Sequence, residues 1–422
     1  MKCIFFISIM LFMNQFLYAV DFWEKIDLDN HYVTAIAEDS KDNLYISTIS
    51  IHNDFSARGI YKSTNNGDSW IKIGIDSLIS SIVSLRIDKN DIIYAGIQNS
   101  GGVRSDDDGK TWIQINNGIR TNLGNYPSIT DFEFNENGEV FAVCDYFGII
   151  KSTNNGDLWE RKGFPSYFNN WGLYATIHKI KNNNYLATCT DGIYIFDDAK
   201  NTFNIIYADS TMGNDPPEVR DITNNSNGCF FASILADSNI FSSDNGKTWS
   251  GLTYKGKGFF YSTFITTDYQ NNLYTTYYEE VNEPPRFRCE FLKSSDNGIT
   301  WVNMNYNIPD SIQFSKMFIN RKGYIFLFNT NLSRNYLYRS SAPVVGVEEH
   351  NKPINQIEIS PNPASNYVCI NGESESDKIE IYSIFGINII KSEYKDKIDV
   401  SALAPGMYFV RIGYKVSKFI KI

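Results

Sequence analysis

Short apolar runs rich in Ile, Val, Phe and Tyr recur along this chain, each preceded by a cluster of Asn, Asp, Gly and Lys. The copies are DSKDNLYIST (39–48), DKNDIIYAGI (88–97), NENGEVFAVC (135–144), KNNNYLATCT (181–190), NNSNGCFFAS (224–233), DYQNNLYTTY (268–277) and NRKGYIFLFN (320–329). Each predicts a tight turn leading into a β-strand, because Asn, Asp and Gly tolerate turn dihedrals while β-branched and aromatic side chains suit a pleated surface. No long segment shows the 3.6-residue period of an amphipathic helix.

A second pattern, Ser-x-Asx-x-Gly-x-x-Trp, occurs five times, as STNNGDSW (63–70), SDDDGKTW (105–112), STNNGDLW (152–159), SSDNGKTW (242–249) and SSDNGITW (294–301). The Asx side chain (Asn65, Asp107, Asn154, Asp244, Asp296) can accept backbone N–H groups of its own turn, and the Gly supplies a positive φ. Trp closes each copy where a large ring can pack between neighbouring hairpins and find a partner for its N–H. Residues that serve a turn in every repeat are read as structural. The Trp intervals are 42, 47, 90 and 52, and the gap of 90 contains FDDAKNTF (196–203), which keeps Asp198 in register and replaces Gly by Lys200 and Trp by Phe203. Trp23 stands 47 residues before Trp70, and LYRSS (337–341) begins a unit that never reaches its Trp.

A period of this length with four short strands predicts a seven-bladed β-propeller. The seventh unit has three strands of its own, so the strand around Trp23 is expected to complete it and remove the open edge. The repeats resemble those of the BNR or Asp-box proteins, which include sialidases, sortilin-type receptors, xyloglucan hydrolases and photosystem assembly factors. The resemblance covers 21 to about 341. It implies an all-β, sialidase-like propeller and leaves open whether it binds or hydrolyses.

The chain ends frame this domain. Residues 1–19 combine Lys2, the apolar run IFFISIMLFM and Ala19, the pattern of a cleaved signal peptide too short for a membrane anchor. Cys3 precedes the apolar run, which argues against a lipoprotein. The propeller is expected over 20–341, a linker over 342–354 and a small Ig-like β-sandwich over 355–422. This last segment resembles the type A C-terminal sorting domain of the type IX secretion system of Bacteroidota. The resemblance rests on Pro361, Asn362, Pro363, on Ile381-Tyr382 with Gly386, on Leu403 to Tyr408 with Gly406, and on the terminal Lys421-Ile422. It implies recognition by secretion machinery at the outer membrane, with release to the medium or attachment at the cell surface.

The formal net charge is −10, while the segment from 355 on holds eight basic and eight acidic residues. The acidic excess therefore lies upstream, which argues against nucleic acid or an anionic membrane as partner. Beyond Cys3 there are five cysteines, an odd number without a disulfide framework; Cys144 and Cys189, at equivalent positions of adjacent blades, are the one pair worth testing. His31, His52, His178 and His350 are scattered without metal-ligand spacing, and no cofactor motif is present.

Recognition is expected where the repeat breaks, on the face opposite the Asx boxes. The long irregular segments 116–128, 162–174, 207–219 and 278–288 belong to that face. Trp171 alone among seven tryptophans falls outside the repeat register. With Tyr167, Phe168, Tyr174 and Tyr126 it makes a candidate stacking platform for a glycan or peptide, and Arg120, Arg286 and Arg288 are candidate hydrogen-bond donors. The expected function is a non-catalytic binding protein at the cell surface or in the medium. A glycoside hydrolase would need a carboxylate pair, for which Asp131, Glu133, Asp145, Glu279 and Glu280 are available. The Arg-Ile-Pro or Arg-Leu-Pro tripeptide of sialidases is absent, those enzymes have six blades, and the xyloglucan enzymes use two facing propellers. A surface assembly or structural protein is the third alternative.

Overall fold

The computed structural model describes residues 22–344 and 358–422, apart from 29–31, 50–57, 76–79, 122–123, 146, 164–174, 181–183, 190–191, 209–218, 235–237, 259–261, 281–286, 310, 331–335, 372–377, 384–387, 394, 396 and 413–414. The expected leader, residues 1–19, lies outside them. The chain divides into two compact units, 1–348 and 349–422.

Among the described residues the first unit contains seven four-stranded antiparallel sheets, six of them formed by four strands consecutive in sequence. The first blade runs outward through Tyr32–Glu38, Leu44–Ile49, Gly59–Ser63 and Ile71–Gly74. The next five begin with the inner strands Ile82–Ile87, Ile129–Phe134, Ile177–Lys179, Val219–Asn224 and Ile265–Thr267. The seventh is built from Lys316–Ile319, Ile325–Phe328 and Leu337–Ser340, and its outer strand is Trp23–Ile26, with Trp23 opposite Ser340 and Ile26 opposite Leu337. The all-β propeller and its closure by non-local pairing are as the sequence predicts.

Between successive blades lie seven apolar clusters, and each holds one aromatic residue from the repeat register. Trp70, Trp112, Trp159, Phe203, Trp249, Trp301 and Trp23 fill them in turn. The Trp159 indole donates to Ile115 O (2.7 Å) and that of Trp249 to Ile206 O (2.8 Å), both at the outer edge of the preceding blade. Trp23 does the same to Met304 O at 2.7 Å, so it serves the seventh blade as the box tryptophans serve the others.

The boxes sit between third and fourth strands. In all five, Asx Oδ1 accepts the N–H four residues on at 2.8–3.0 Å. The first-position Ser matters as much: its hydroxyl donates to that same Oδ1 and accepts the Gly N–H at 2.8–2.9 Å. Two consecutive residues are left-handed, Asn66 (φ 60) and Gly67 (φ 94) in the first copy, which explains the Asn or Asp at the fourth position. The degenerate fourth copy departs from the register inferred by counting. Its hairpin is tighter, with Asp197 paired to Thr202, and Asp197 Oδ1 takes the Lys200 N–H. Asp198 instead accepts Lys151 Nζ of the third blade at 2.7 Å.

In the second unit, Glu358–Ser360, Tyr367–Asn371 and Lys397–Asp399 form one sheet, and Asn388–Glu393, Lys378–Ser383, Gly406–Ile412 and Lys415–Lys421 form another. Val368 and Ile398 of the first share a core with Ile381, Val410 and Phe419 of the second, which makes a sandwich. The motif residues build it. The Pro361 and Pro363 peptides are cis, Asn362 Oδ1 accepts the Ile420 N–H at 2.9 Å, Gly406 pairs with Lys421, and Tyr408 donates to Ala404 O while stacking on Phe419. Gly386 lies outside the described residues.

Candidate functional site

The expected recognition residues are only partly visible. Trp171, Tyr167, Phe168, Tyr174 and Arg286 lie outside the described residues. Tyr126 is half-buried against the core between the second and third blades. Arg120 is exposed and donates Nε to Gly124 O at 2.9 Å, bracing its own loop. Arg288 is exposed on the long hairpin of the sixth blade, opposite Glu279. The structure therefore puts Arg120 and Tyr126 on one connection and Arg288 on another part of the ring.

Beside that hairpin is a feature the sequence did not signal. Thr253–Tyr254 and Lys257–Gly258 form a two-stranded ribbon in the connection from the fifth to the sixth blade. It is tied to the sixth blade by Tyr254 Oη to Glu290 (2.8 Å), Lys255 to Glu290 (2.6 Å) and Lys257 to Glu279 (3.5 Å).

The candidate carboxylates are held by backbone groups and cations. Asp131 Oδ1 accepts Arg86 Nε at 3.0 Å and the Phe132 N–H, while Oδ2 accepts the Ile177 N–H of the next blade. Glu133 accepts the N–H groups of Phe134 and Lys179 in the same manner. Asp145 is buried against the Ser128 N–H and hydroxyl. Glu279 faces Lys257, and the Glu280 side chain lies outside the described residues. Burial raises Asp145 and Glu133 above the usual carboxylate range, in Glu133 against the attraction of His178. An inner strand has no partner on its channel side, so its carboxylates reach across the gap to the next blade's exposed N–H groups.

The same inner strands enclose a cavity of about 470 Å³ along the propeller axis. Arg86, Asp131, His178, Asp221 and Lys316 contribute charged or titratable groups to its wall, and Phe264 and Met317 apolar surface. Solvent reaches it, since 43% of the Arg86 side chain is accessible. Asp221 repeats the Asp131 pattern, accepting the N–H groups of Ile222 (3.0 Å) and Ile265 (3.3 Å). Burial raises its pKa, opposed first by the charge of Lys316 and then by His178. Sequence reading missed this constellation because each blade supplies one or two members, roughly a repeat apart. The only local signal is a charge inside an otherwise apolar inner strand, as in SLRID (84–88) or ITDFEF (129–134).

Cys144, Cys229, Cys289 and Cys369 are free thiols, which removes the suggested Cys144–Cys189 bridge. Cys144 packs in the core between the second and third blades. Among the described residues no group of His, Cys, Asp and Glu is arranged to hold a metal, and no helix is long and apolar enough to cross a membrane.

Residues 358–421 match the family described as the secretion system C-terminal sorting domain. No curated protein matches the sequence. Among solved structures, the chain is similar to PorZ, described as an essential bacterial surface component of the type IX secretion system of Porphyromonas gingivalis, with a TM-score of 0.56 and 12% identity over 93% of this chain and 60% of that one. It is similar to the extracellular domain of a hybrid two component system from B. thetaiotaomicron, with a TM-score of 0.58 and 12% identity over 96% of this chain and 57% of that one. YCF48 from Cyanidioschyzon merolae gives 0.56 and 13% over 75% of this chain and 98% of that one. The chain thus spans about 60% of the length of the PorZ structure. At these identities the likeness is one of fold. The chain is a β-propeller with a type IX sorting tail, and that tail addresses it to the cell surface or the medium.

Proposed function

We propose that this chain is an exported, non-catalytic binding protein whose propeller recognises a glycan or a protein and whose tail engages the type IX machinery. The observation that carries this reading is the engagement of the described carboxylates. A hydrolase needs one carboxyl aimed at a leaving oxygen and another at the anomeric centre or a water. Asp131, Glu133 and Asp145 are instead spent on backbone N–H groups and an arginine. With them goes the reading of residues 1–19 as a leader, of 20–341 as propeller and 355–422 as sorting domain, and of a Bacteroidota source.

The face opposite the boxes, to which the sequence reading assigns Trp171 and its aromatic neighbours, remains the proposed recognition surface. The full chain screened on a glycan array and against chromogenic glycosides is expected to bind without turnover. Hydrolysis of any glycoside, lost on Asp131→Asn, would overturn the non-catalytic reading. Absence of glycan binding would turn the search to a protein partner in envelope extracts.

A further inference from the structure

The wall of the axial cavity carries a carboxyl group and an ammonium that make no ion pair with each other. Asp221, on the inner strand of the fifth blade, accepts one N–H on each carboxylate oxygen, Ile222 on Oδ1 and Ile265 on Oδ2, and unlike Asp131 it has no hydrogen bond or ion pair to a cation among the described residues. The ammonium of Lys316, on the inner strand of the seventh, makes no hydrogen bond or ion pair among the described residues, although it is the strongest attractive charge felt by Asp221. Both line the cavity, and no approach of 4.0 Å or less joins them. His178 on the fourth blade has a buried Nε2 without a partner and adds a second unused polar atom. Arg86 is committed to Asp131 through Nε and Nη2.

Each group stands on its own inner strand, two blades from the other, and no ion pair joins them. A simple anion entering this space would meet Lys316 but also Asp221 and Asp131. A simple cation would meet Asp221 but also Lys316 and Arg86. A molecule carrying both charges gains a charge-assisted hydrogen bond at each end and introduces no net charge. The volume equals that of about fifteen waters at ~30 Å³ each, room for a ligand of amino-acid size with some solvent left. Phe264 and Met317 in the wall supply apolar surface for a side chain.

We propose that the axial cavity binds a free α-amino acid with an apolar side chain, its ammonium on Asp221 and its carboxylate on Lys316. This rests on the reading of the propeller as a binding rather than a catalytic body, and it adds a small-molecule site distinct from the proposed recognition face. Occupancy would tie the fifth blade to the seventh across the ring.

The test is calorimetry on the full chain with L-leucine, L-methionine and L-phenylalanine, beside 3-methylbutylamine and 4-methylpentanoate, which each lack one charge of leucine. At least one of the amino acids is expected to bind, and for leucine both truncated analogues are expected to be at least tenfold weaker. Lys316→Gln removes an ammonium that makes no internal contact, so it should fold normally and lose at least tenfold in amino-acid affinity. Asp221→Asn should lose as much, with the caution for its two backbone bonds met by the Lys316 variant. Binding by none of the three amino acids, equal binding of an analogue, or unchanged affinity in Lys316→Gln would overturn the proposal while leaving the glycan or protein reading intact. Chemical alteration of a bound amino acid, followed by NMR, would overturn the binding-only reading itself.

Discussion

Arg339 of the seventh blade donates Nη1 to Asp68 in the first blade's box at 2.6 Å, joining the end of the propeller to its beginning. The same nitrogen reaches Asn66 O at 2.6 Å, and Nη2 reaches Glu24 on the N-terminal strand. This is one instance of a rule. The basic residue just before a box serine crosses to the next blade's box, as Arg104 does to Asp157 and Lys62 to Asp108. At the closure the clasp matters most, because the outer strand Trp23–Ile26 is not joined to Leu337–Ser340 by a hairpin and is held to its blade by pairing alone. Arg339→Ala is expected to cost about 1–2 kcal/mol, since the guanidinium is nearly buried while Asp68 is exposed. It should also speed proteolysis near the N-terminus relative to Arg104→Ala, read by limited digestion. Equal digestion of the two variants would show that closure is no weaker than any other seam.

Glu38 makes the same seam sensitive to pH. Oε2 accepts the Arg321 N–H at 2.8 Å, while Oε1 is buried without a partner. Burial, partly offset by that N–H and the Arg321 charge, raises the carboxyl pKa to about 7. A folded value above the unfolded one means this group's stabilisation is whole below about pH 4.5 and disappears as pH rises through about 7. Glu38→Gln should therefore raise the melting temperature at pH 8, by the equivalent of about 1 kcal/mol after allowing for partial exposure, and leave it nearly unchanged at pH 4.5. Asp107 and Asp244 have the opposite sign, held down at about 2 by their threonine and backbone donors, and should not contribute to that pH range. Denaturation curves at the two pH values decide the matter.

How much was readable depended on how local each feature is. A box is eight consecutive residues closing their own hydrogen bonds, so its Ser, Asx, Gly and Trp appear as a motif, and counting strands was enough to foresee Trp23 completing the ring. The degenerate copy misled because a shorter hairpin shifts the capping role from Asp198 to Asp197, and counting back from Phe203 cannot see a changed loop length. The clasps were on the page as Lys-Ser and Arg-Ser pairs, but their partners lie a full repeat away. The axial cavity was hidden for the same reason. Asp221, Lys316 and His178 occupy unremarkable places in three inner strands and become neighbours only when the ring closes.

A box tryptophan and the one outside the register provide a direct contrast. Trp159 is buried in an interblade cluster with its indole N–H on Ile115 O, whereas Trp171 is outside the repeat register. Trp159→Ala is expected to cost about 3–5 kcal/mol through the lost volume and the orphaned carbonyl. Trp171→Ala should leave the melting temperature within about 1 °C and weaken whatever the recognition face binds. A large loss of stability in the Trp171 variant would make that residue part of the packing and withdraw it from recognition.

The sorting role can be separated from the propeller because, among the described residues, the strands that close the ring all lie before residue 345. Trp23–Ile26 pairs with Leu337–Ser340, and the seventh interblade cluster is complete by Val344. The tail has its own core around Val368, Val410 and Phe419. A chain lacking residues 355–422 is therefore expected to fold its propeller and accumulate in the periplasm of a type IX-competent host, where fractionation and immunoblotting would find it. A milder lesion should act through the tail alone: Asn362→Ala removes the side-chain acceptor for the Ile420 N–H, freeing the terminal strand at one end. Partial periplasmic retention is expected, with an unchanged propeller melting transition. Delivery of the truncated chain to the surface or medium at normal levels would mean that export does not depend on this domain.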